Sequence, residues 1–118
     1  MQLEEVQFAD APPIDGYGPG FFRVGGALHE GAILVMPGSV RRWGGFDDSA
    51  TLVAVAAQID VVFVGTGAEI CHIPPGLRDP VEAAGPGIEI MASPAACRSY
   101  NVLLSEGRRI AAALLPVG

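Results

Sequence analysis

GIEIMASPAACRSYNVLLSEGRRIAAALLPVG, residues 87–118, is the stretch whose reading decides the fold. It specifies a strand, a helix and a strand, together with both joints between them. Ile88, Glu89, Ile90 and Met91 form a short β-favouring run. Ser93 is a natural N-cap, and Pro94 suits the first helical position, where its missing N–H leaves no bond unmade. The helix is predicted to run from Ala95 to Glu106 and to stop at Gly107 in a left-handed conformation. Ala96, Tyr100 and Leu103 recur along it at i, i+4 and i+7, and Cys97 and Leu104 widen that apolar stripe. Residues 110–115 are apolar at both alternations: Ile110, Ala112 and Leu114 on one face, Ala111, Ala113 and Leu115 on the other. A strand apolar on both faces is covered on both, so this one is expected at the centre of a sheet.

Working outward, residues 61–64 (Val-Val-Phe-Val) form another continuous apolar run, ended by Gly65-Thr66-Gly67 and read as a second buried strand. Between the two strands a short helix is expected within residues 77–84, closed by Gly85-Pro86-Gly87. Upstream, Asp47, Asp48 and Ser49 offer N-caps for a helix over residues 51–58, with Leu52, Val55, Ala56 and Ile59 at helical spacing. The N-terminal part reads as β-rich. Residues 21–24 and 32–36 are strands, Gly25-Gly26 and Pro37-Gly38 are breaks, and residues 40–43 form a short extended piece. Val6 and Phe8 alternate in a way that suits an edge strand. Gly16-Tyr17-Gly18-Pro19-Gly20 has a superficial G-x-G look, but it precedes a strand and opens no helix, so it is read as a bend. From residue 32 onward strands and helices alternate. This implies an α/β fold with a central mixed sheet flanked by helices, preceded by an additional N-terminal β-rich layer.

Composition bounds the function. The chain has 118 residues, half of them apolar and 17% charged, which fits one globular domain spanning residues 1–118. A net charge of -6 argues against non-specific binding to nucleic acid or to an anionic membrane. No apolar run reaches the roughly 18 residues of a membrane helix, so no direct membrane insertion is expected. MQLEEVQFAD, residues 1–10, lacks an apolar signal core and an Arg-rich transit pattern, so the chain reads as cytoplasmic. All seven basic residues are Arg, which excludes a Schiff-base lysine and a P-loop lysine. Cys71 and Cys97 are read as reduced, buried thiols. Their spacing with His29 and His72 matches no recurrent zinc pattern, so neither a metal nor another cofactor is expected.

The sequence resembles the Mth938-like family, also known as DUF498, which includes the mitochondrial respiratory complex I assembly factor 3. The resemblance is carried by Gly18-Pro19-Gly20-Phe21-Phe22, Trp43, Val62-Phe63-Val64-Gly65-Thr66-Gly67, Gly87-Ile88-Glu89-Ile90, Ala96-Cys97, Asn101-Val102-Leu103, Glu106-Gly107-Arg108 and Ala112-Ala113-Leu114. These residues span nearly the whole chain. The resemblance implies one compact domain with a central mixed sheet, and no established enzyme activity. The mitochondrial relatives carry a presequence and this chain does not, which suits a bacterial protein.

Two features are candidates for a ligand site. If the strands at 61–65 and 88–91 run parallel, Gly65-Thr66-Gly67 and the helix start at Ser93 share the carboxyl edge of the sheet, where open α/β folds place ligands. Free N–H groups at a helix start, hydroxyls from Thr66 and Ser93 and a guanidinium from Arg78 would suit a small anion there. The plainer reading is that the glycines permit a tight turn and Ser93 only caps. Cys97 and Asn101 follow on the same helix. Cys97 reads first as a buried structural thiol, with a nucleophile as the alternative. Asn101 is expected to tie its helix to the backbone of a neighbouring loop, with a ligand contact as the lesser reading.

Arg41-Arg42-Trp43 is the local candidate for a protein-binding surface, against a Trp packed over a sheet edge. Arg108 and Arg109 should diverge, one of them pairing with a carboxylate such as Glu89. The residues supply no catalytic constellation. Two functions therefore stand. The first is a non-catalytic interaction module resembling an assembly factor, with an unknown protein partner of the kind found among respiratory-complex or membrane-protein assembly components. The second is a small-molecule (anion) binder or enzyme using the Gly65–Gly67 edge.

Overall fold

The computed structural model describes residues 5–7 and 10–118. Among the described residues there are nine strands and three α-helices, and strands and helices alternate from β6 onward: β1 Glu5–Gln7, β2 Ile14–Gly18, β3 Phe21–Val24, β4 Ala27–Glu30, β5 Ile33–Met36, β6 Ser39–Arg42, α1 Ser49–Val55, β7 Val61–Gly65, α2 Pro75–Ala83, β8 Gly87–Met91, α3 Ser93–Ser105 and β9 Ile110–Leu114. Six strands form a mixed sheet in the order β1-β6-β5-β9-β7-β8, and β2-β3-β4 form a separate three-stranded sheet. Within the large sheet β1, β6, β5 and β9 pair antiparallel, while β9, β7 and β8 pair parallel. The strand at Val6 lies at the β1 edge, opposite Val40. Phe8 lies outside the described residues.

β9 sits between β5 and β7, and all five of its residues are buried. Its two alternations feed two different cores. Ile110, Ala112 and Leu114 join Ile33, Val35 and Phe63 in a layer closed by Ala96, Cys97 and Tyr100 of α3 and by Ile14, Phe22 and Val24 of the small sheet. Ala111 and Ala113 join Leu34, Val62 and Val64 in a layer closed by Leu52 and Val55 of α1 and Leu77 and Val81 of α2. Helices α1 and α2 thus cover one face of the large sheet. Helix α3 and the three-stranded sheet cover the other. The handedness of parallel crossovers explains the division. The connections β6–α1–β7 and β7–α2–β8 both advance toward the β8 edge, whereas β8–α3–β9 returns across β7. One hand for all three puts α1 and α2 together and α3 opposite.

Local signals hold at most joints. Gly107 (φ +72) ends α3, with Gly107 N–H bonded to Leu104 O (3.0 Å) and Arg108 N–H to Leu103 O (3.2 Å), the paired bonds of a Schellman turn. Asp48 caps α1: its carboxylate accepts from Thr51 N–H (3.0 Å), Thr51 Oγ1 (2.6 Å) and Gly44 N–H (2.8 Å). Burial pushes this carboxyl upward, but those bonds outweigh it and hold the pKa below its ordinary value.

Four expectations are corrected. The glycine-rich stretch at 16–20 is not simply a bend. It continues β2 through Gly18 and turns only at Pro19-Gly20, where Gly20 has φ +80. The helix expected over 51–58 begins at Ser49 and tightens into a 3₁₀ turn at Ala56–Gln58, because the chain must become extended at Ile59 to enter β7. Ser93 does not cap α3. Ala92 holds the N-cap position, and the Ser93 side chain turns inward. Cys71 is exposed, not buried, because it lies in the loop after β7.

Candidate functional site

The parallel pairing of β7 with β8 brings the 65–67 turn and the start of α3 to the same edge, as the sequence implies. What forms there is a closed joint. Ser93 is fully buried. Its Oγ donates to Leu115 O (2.6 Å) and accepts from Gly67 N–H (2.9 Å), while its own N–H donates to Gly67 O (2.8 Å). Gly65 O accepts from Leu115 N–H (2.9 Å), and Thr66 N–H donates to Met91 O (2.9 Å). The Thr66 hydroxyl donates to Glu69 O (2.6 Å) and accepts from Cys71 N–H (3.2 Å), folding the following loop back on itself. Strands β7, β8 and β9 and helix α3 are thereby stitched together at one point.

Steric room accounts for the glycines. A Cβ on Gly65 would lie 2.7 Å from Ser93 Oγ, 2.9 Å from Ser93 Cα and 2.9 Å from Leu114 Cδ2. Gly67 has φ +101, a conformation side chains rarely adopt. The space that a ligand would need at Gly65 is filled by Ser93 and Leu114. The helix start has little to offer an anion, since the Ser93 N–H is taken and Pro94 has none.

The other proposed ligand residues do not converge on this edge. Arg78 lies on α2, which packs on the opposite face of the sheet from α3. Asn101 sits about 12 Å farther along α3 than Ser93 at the helical rise per residue. There its Oδ1 accepts from Ile14 N–H (2.9 Å) and its Nδ2 donates to Ile14 O (3.0 Å), a backbone tie as expected, but to strand β2 and not to a loop. Cys97 is buried in the same layer. Desolvation pushes its thiol up to about 11, against a smaller opposing pull from the Arg98 charge. Cys71 and His72 belong to the loop on the Ile90 side of the sheet, so the four Cys and His side chains do not come together.

At 41–43 the packed-Trp alternative is the one observed. Trp43 is 2% exposed, its Nε1 donates to Asp48 O (3.0 Å), and its ring meets Phe46 edge-on at 6.5 Å. An indole held this way anchors the turn into α1 and presents no surface. Arg42 remains exposed at the end of β6 and Arg41 is half-buried. Arg109 pairs with Asp60 (3.6 Å), not with Glu89, and donates to Ala57 O (3.0 Å). Both side chains are exposed, so the pair adds little stability.

Sequence reasoning missed the outer edge of β8. An open hollow of about 360 Å³ lies on its α1/α2 side, lined by Ile70, Cys71, His72 and Ile90. A second, of about 490 Å³, lies on the α3 side, lined by Phe63, Arg98, Ser99, Val102 and Leu103. Glu89 is the β8 register partner of Phe63, which lines the second hollow. The available signals were Ile70, a large apolar residue in a loop, and Val102, which lies off the apolar stripe of α3.

An α/β protein with a six-stranded mixed sheet, helices on both faces and a glycine–serine joint closing its carboxyl edge is the class that this geometry defines. The chain belongs to the DUF498/DUF598 family of proteins of unknown function, whose profile matches residues 14–115. It is 53% identical over 117 residues to an uncharacterised protein of Rhodobacter capsulatus, covering 99% of this chain and 94% of that one. It is 30% identical over 123 residues to mouse NADH dehydrogenase [ubiquinone] 1 alpha subcomplex assembly factor 3, covering 98% of this chain but 66% of the relative. Among solved structures it resembles the crystal structure of an outer membrane protein from Bartonella henselae, with TM-score 0.81, 32% identity and coverage of 94% and 99% of the two chains. It also resembles the solution structure of a Mth938-like domain from Bordetella pertussis, with TM-score 0.77, 28% identity and coverage of 100% and 94%. Among the described residues no helix is long and apolar enough to cross a membrane.

Proposed function

We propose that this chain is a non-catalytic interaction module of the assembly-factor type, acting from the cytoplasmic side on respiratory-complex or membrane-protein assembly components. The observation that carries the reading is the similarity to complex I assembly factor 3 along 98% of this chain. The geometry of the 65–67 edge supports it from the other direction. The atoms that an anion-binding function would use are already bonded to one another, and the space beside Gly65 is filled. Surfaces, not a pocket at the sheet's carboxyl edge, are then left to carry specificity.

The test is a tagged chromosomal copy together with a deletion strain of the native organism. Subunits of a respiratory complex should be enriched with the tagged chain, and membranes of the deletion strain should contain less of the fully assembled complex. Normal assembly in the deletion strain, with no such subunits enriched, overturns the reading.

A further inference from the structure

The next step rests on the interaction reading above and concerns where a partner is held and by what chemistry. It starts from the backbone of β8. Within a strand the N–H and C=O of one residue point to the same side, and successive residues alternate. Gly87 N–H donates to Asp60 O (2.9 Å) and Met91 O accepts from Thr66 N–H (2.9 Å), so Gly87, Glu89 and Met91 turn toward β7. Ile88 and Ile90 therefore turn their N–H and C=O groups outward. β8 is the last strand of the sheet, and no described residue pairs with that side. Donors and acceptors repeating every second residue match the backbone of another extended chain.

The flanks fit the same occupant. Side chains of an added strand would fall alternately on the two faces of the sheet. A hollow lies on each side of the sheet near this edge, one beside Ile90 of β8 and one beside Phe63 of the adjoining β7. Ile70 (64% exposed) and Val102 (57%) are the two most exposed large apolar side chains among the described residues, and they line opposite hollows. Glu89 is the only charge on β8. It is exposed on the Phe63 side and forms no ion pair among the described residues. A second copy of this chain would bring a like charge to the edge and another net charge of -6.

We propose that the outer edge of β8 docks an extended segment of a different protein, which adds as a further strand, seats alternating apolar side chains in the two hollows and sets an Arg or Lys beside Glu89.

The test uses the isotope-labelled full chain and a probe peptide, acetyl-Thr-Val-Ile-Arg-Val-Ile-Thr-amide, with a second peptide carrying Glu in place of Arg. Saturable NMR shifts are expected on β8, Ile70 and Val102. At saturation, amide exchange at Ile88 and Ile90 should slow about tenfold or more, while Glu89, already bonded to β7, changes little. The Glu peptide should bind about threefold or more weakly, because an opposed like charge destabilises a strand pair. Ile88→Pro removes an outward N–H and leaves the β7–β8 bonds intact, so it should weaken peptide binding about tenfold with the fold retained. Unchanged exchange at Ile88 and Ile90 in the wild-type chain at millimolar peptide overturns the proposal, whether or not the proline variant folds. So does undiminished binding by a folded Ile88→Pro chain. Slow exchange at both positions without peptide, in a concentration-dependent dimer, assigns the edge to a second copy and overturns it as well. If tagged Ile88→Pro still captures the wild-type set of respiratory subunits, the edge fails and the interaction reading survives. If the peptide binds as described but no such subunits are captured, the edge stands and the assembly reading falls.

Discussion

Two edges of adjacent strands meet the chain's surroundings in opposite ways. At the carboxyl end of β7, Gly65, Gly67 and Ser93 close a joint in which hydroxyl, amide and carbonyl groups bond to one another. Along the outer side of β8, one strand away, Ile88 and Ile90 leave backbone groups without a partner among the described residues. In the sequence the joint, with Gly-Thr-Gly on one strand and Ser-Pro on the next helix, reads first as a tight turn and a cap, and as a ligand site in the lesser reading. The open edge looks like nothing at all. Glycine at a strand end signals close approach, and whether the approaching atom belongs to a ligand or to the protein is decided by packing.

The largest effect that would test the joint comes from behind it. Leu114 is fully buried on β9, and its Cδ2 is one of the atoms against Gly65. Leu114→Ala should destabilise the protein by about 2–5 kcal/mol in equilibrium denaturation, as large-to-small changes in packed cores do. A nearly neutral result would mean that the joint tolerates loose packing and that the two edges differ less than described. Gly65→Ala should come next, at about 1–3 kcal/mol, because its Cβ meets Ser93 backbone and side chain at distances that demand a shift. Ser93→Ala should follow, at about 1–2 kcal/mol. It leaves Gly67 N–H and Leu115 O without their shared partner in a buried place. If Ser93→Ala were neutral, water would already be reaching the joint.

Legibility followed the physics of each signal. β9 was readable because apolar residues at both alternations have a single structural meaning, and its division between two cores follows the alternation residue by residue. The end of α3 was readable because a left-handed glycine closes a helix locally. Asn101 was readable as a backbone tie because a buried amide needs partners, although that those partners belong to Ile14 was not, being set by tertiary contact. Ser93 misled because Ser before Pro is the normal signature of a cap, and only the proximity of Gly67 and Leu115 redirected its hydroxyl. Trp43 was open to two readings: two adjacent arginines suggest a surface, and a packed indole is the alternative, which the carbonyl of Asp48 fixes inside. The open edge of β8 was not readable, because strand order is a property of the whole chain and Gly87–Met91 reads alike at an edge or in the middle.

A kinetic comparison sharpens the contrast between interior and rim. Cys97 is buried with its thiol pushed up to about 11 by desolvation, and Cys71 lies exposed in the hollow beside β8. At neutral pH a thiol reagent should label Cys71 rapidly and Cys97 slowly, with a stoichiometry near one in the native state. Because the folded pKa of Cys97 is raised, its contribution to stability is fully present below the unfolded value and is lost as pH rises through the folded one. Labelling of Cys97 should therefore accelerate on the alkaline side. Fast labelling of Cys97 alone at neutral pH would revive a nucleophilic role for it.

The smallest expected effect belongs to Glu89, at the centre of the open edge. Its carboxylate is exposed and forms no ion pair among the described residues, and its backbone groups already bond to β7. Glu89→Gln changes the charge and leaves shape and backbone alone. Stability should stay within about 0.5 kcal/mol of wild type, the usual range for a surface change that breaks no specific feature. Ser93→Ala at the joint removes one hydroxyl and is expected to cost more than removing a full charge here, because there the lost group is buried and shared. A loss above about 1 kcal/mol for Glu89→Gln would mean that the carboxylate has an intramolecular partner and that β8 is covered. If stability is unchanged but the variant self-associates in sedimentation, the charge is what keeps a bare strand edge from pairing with its own kind.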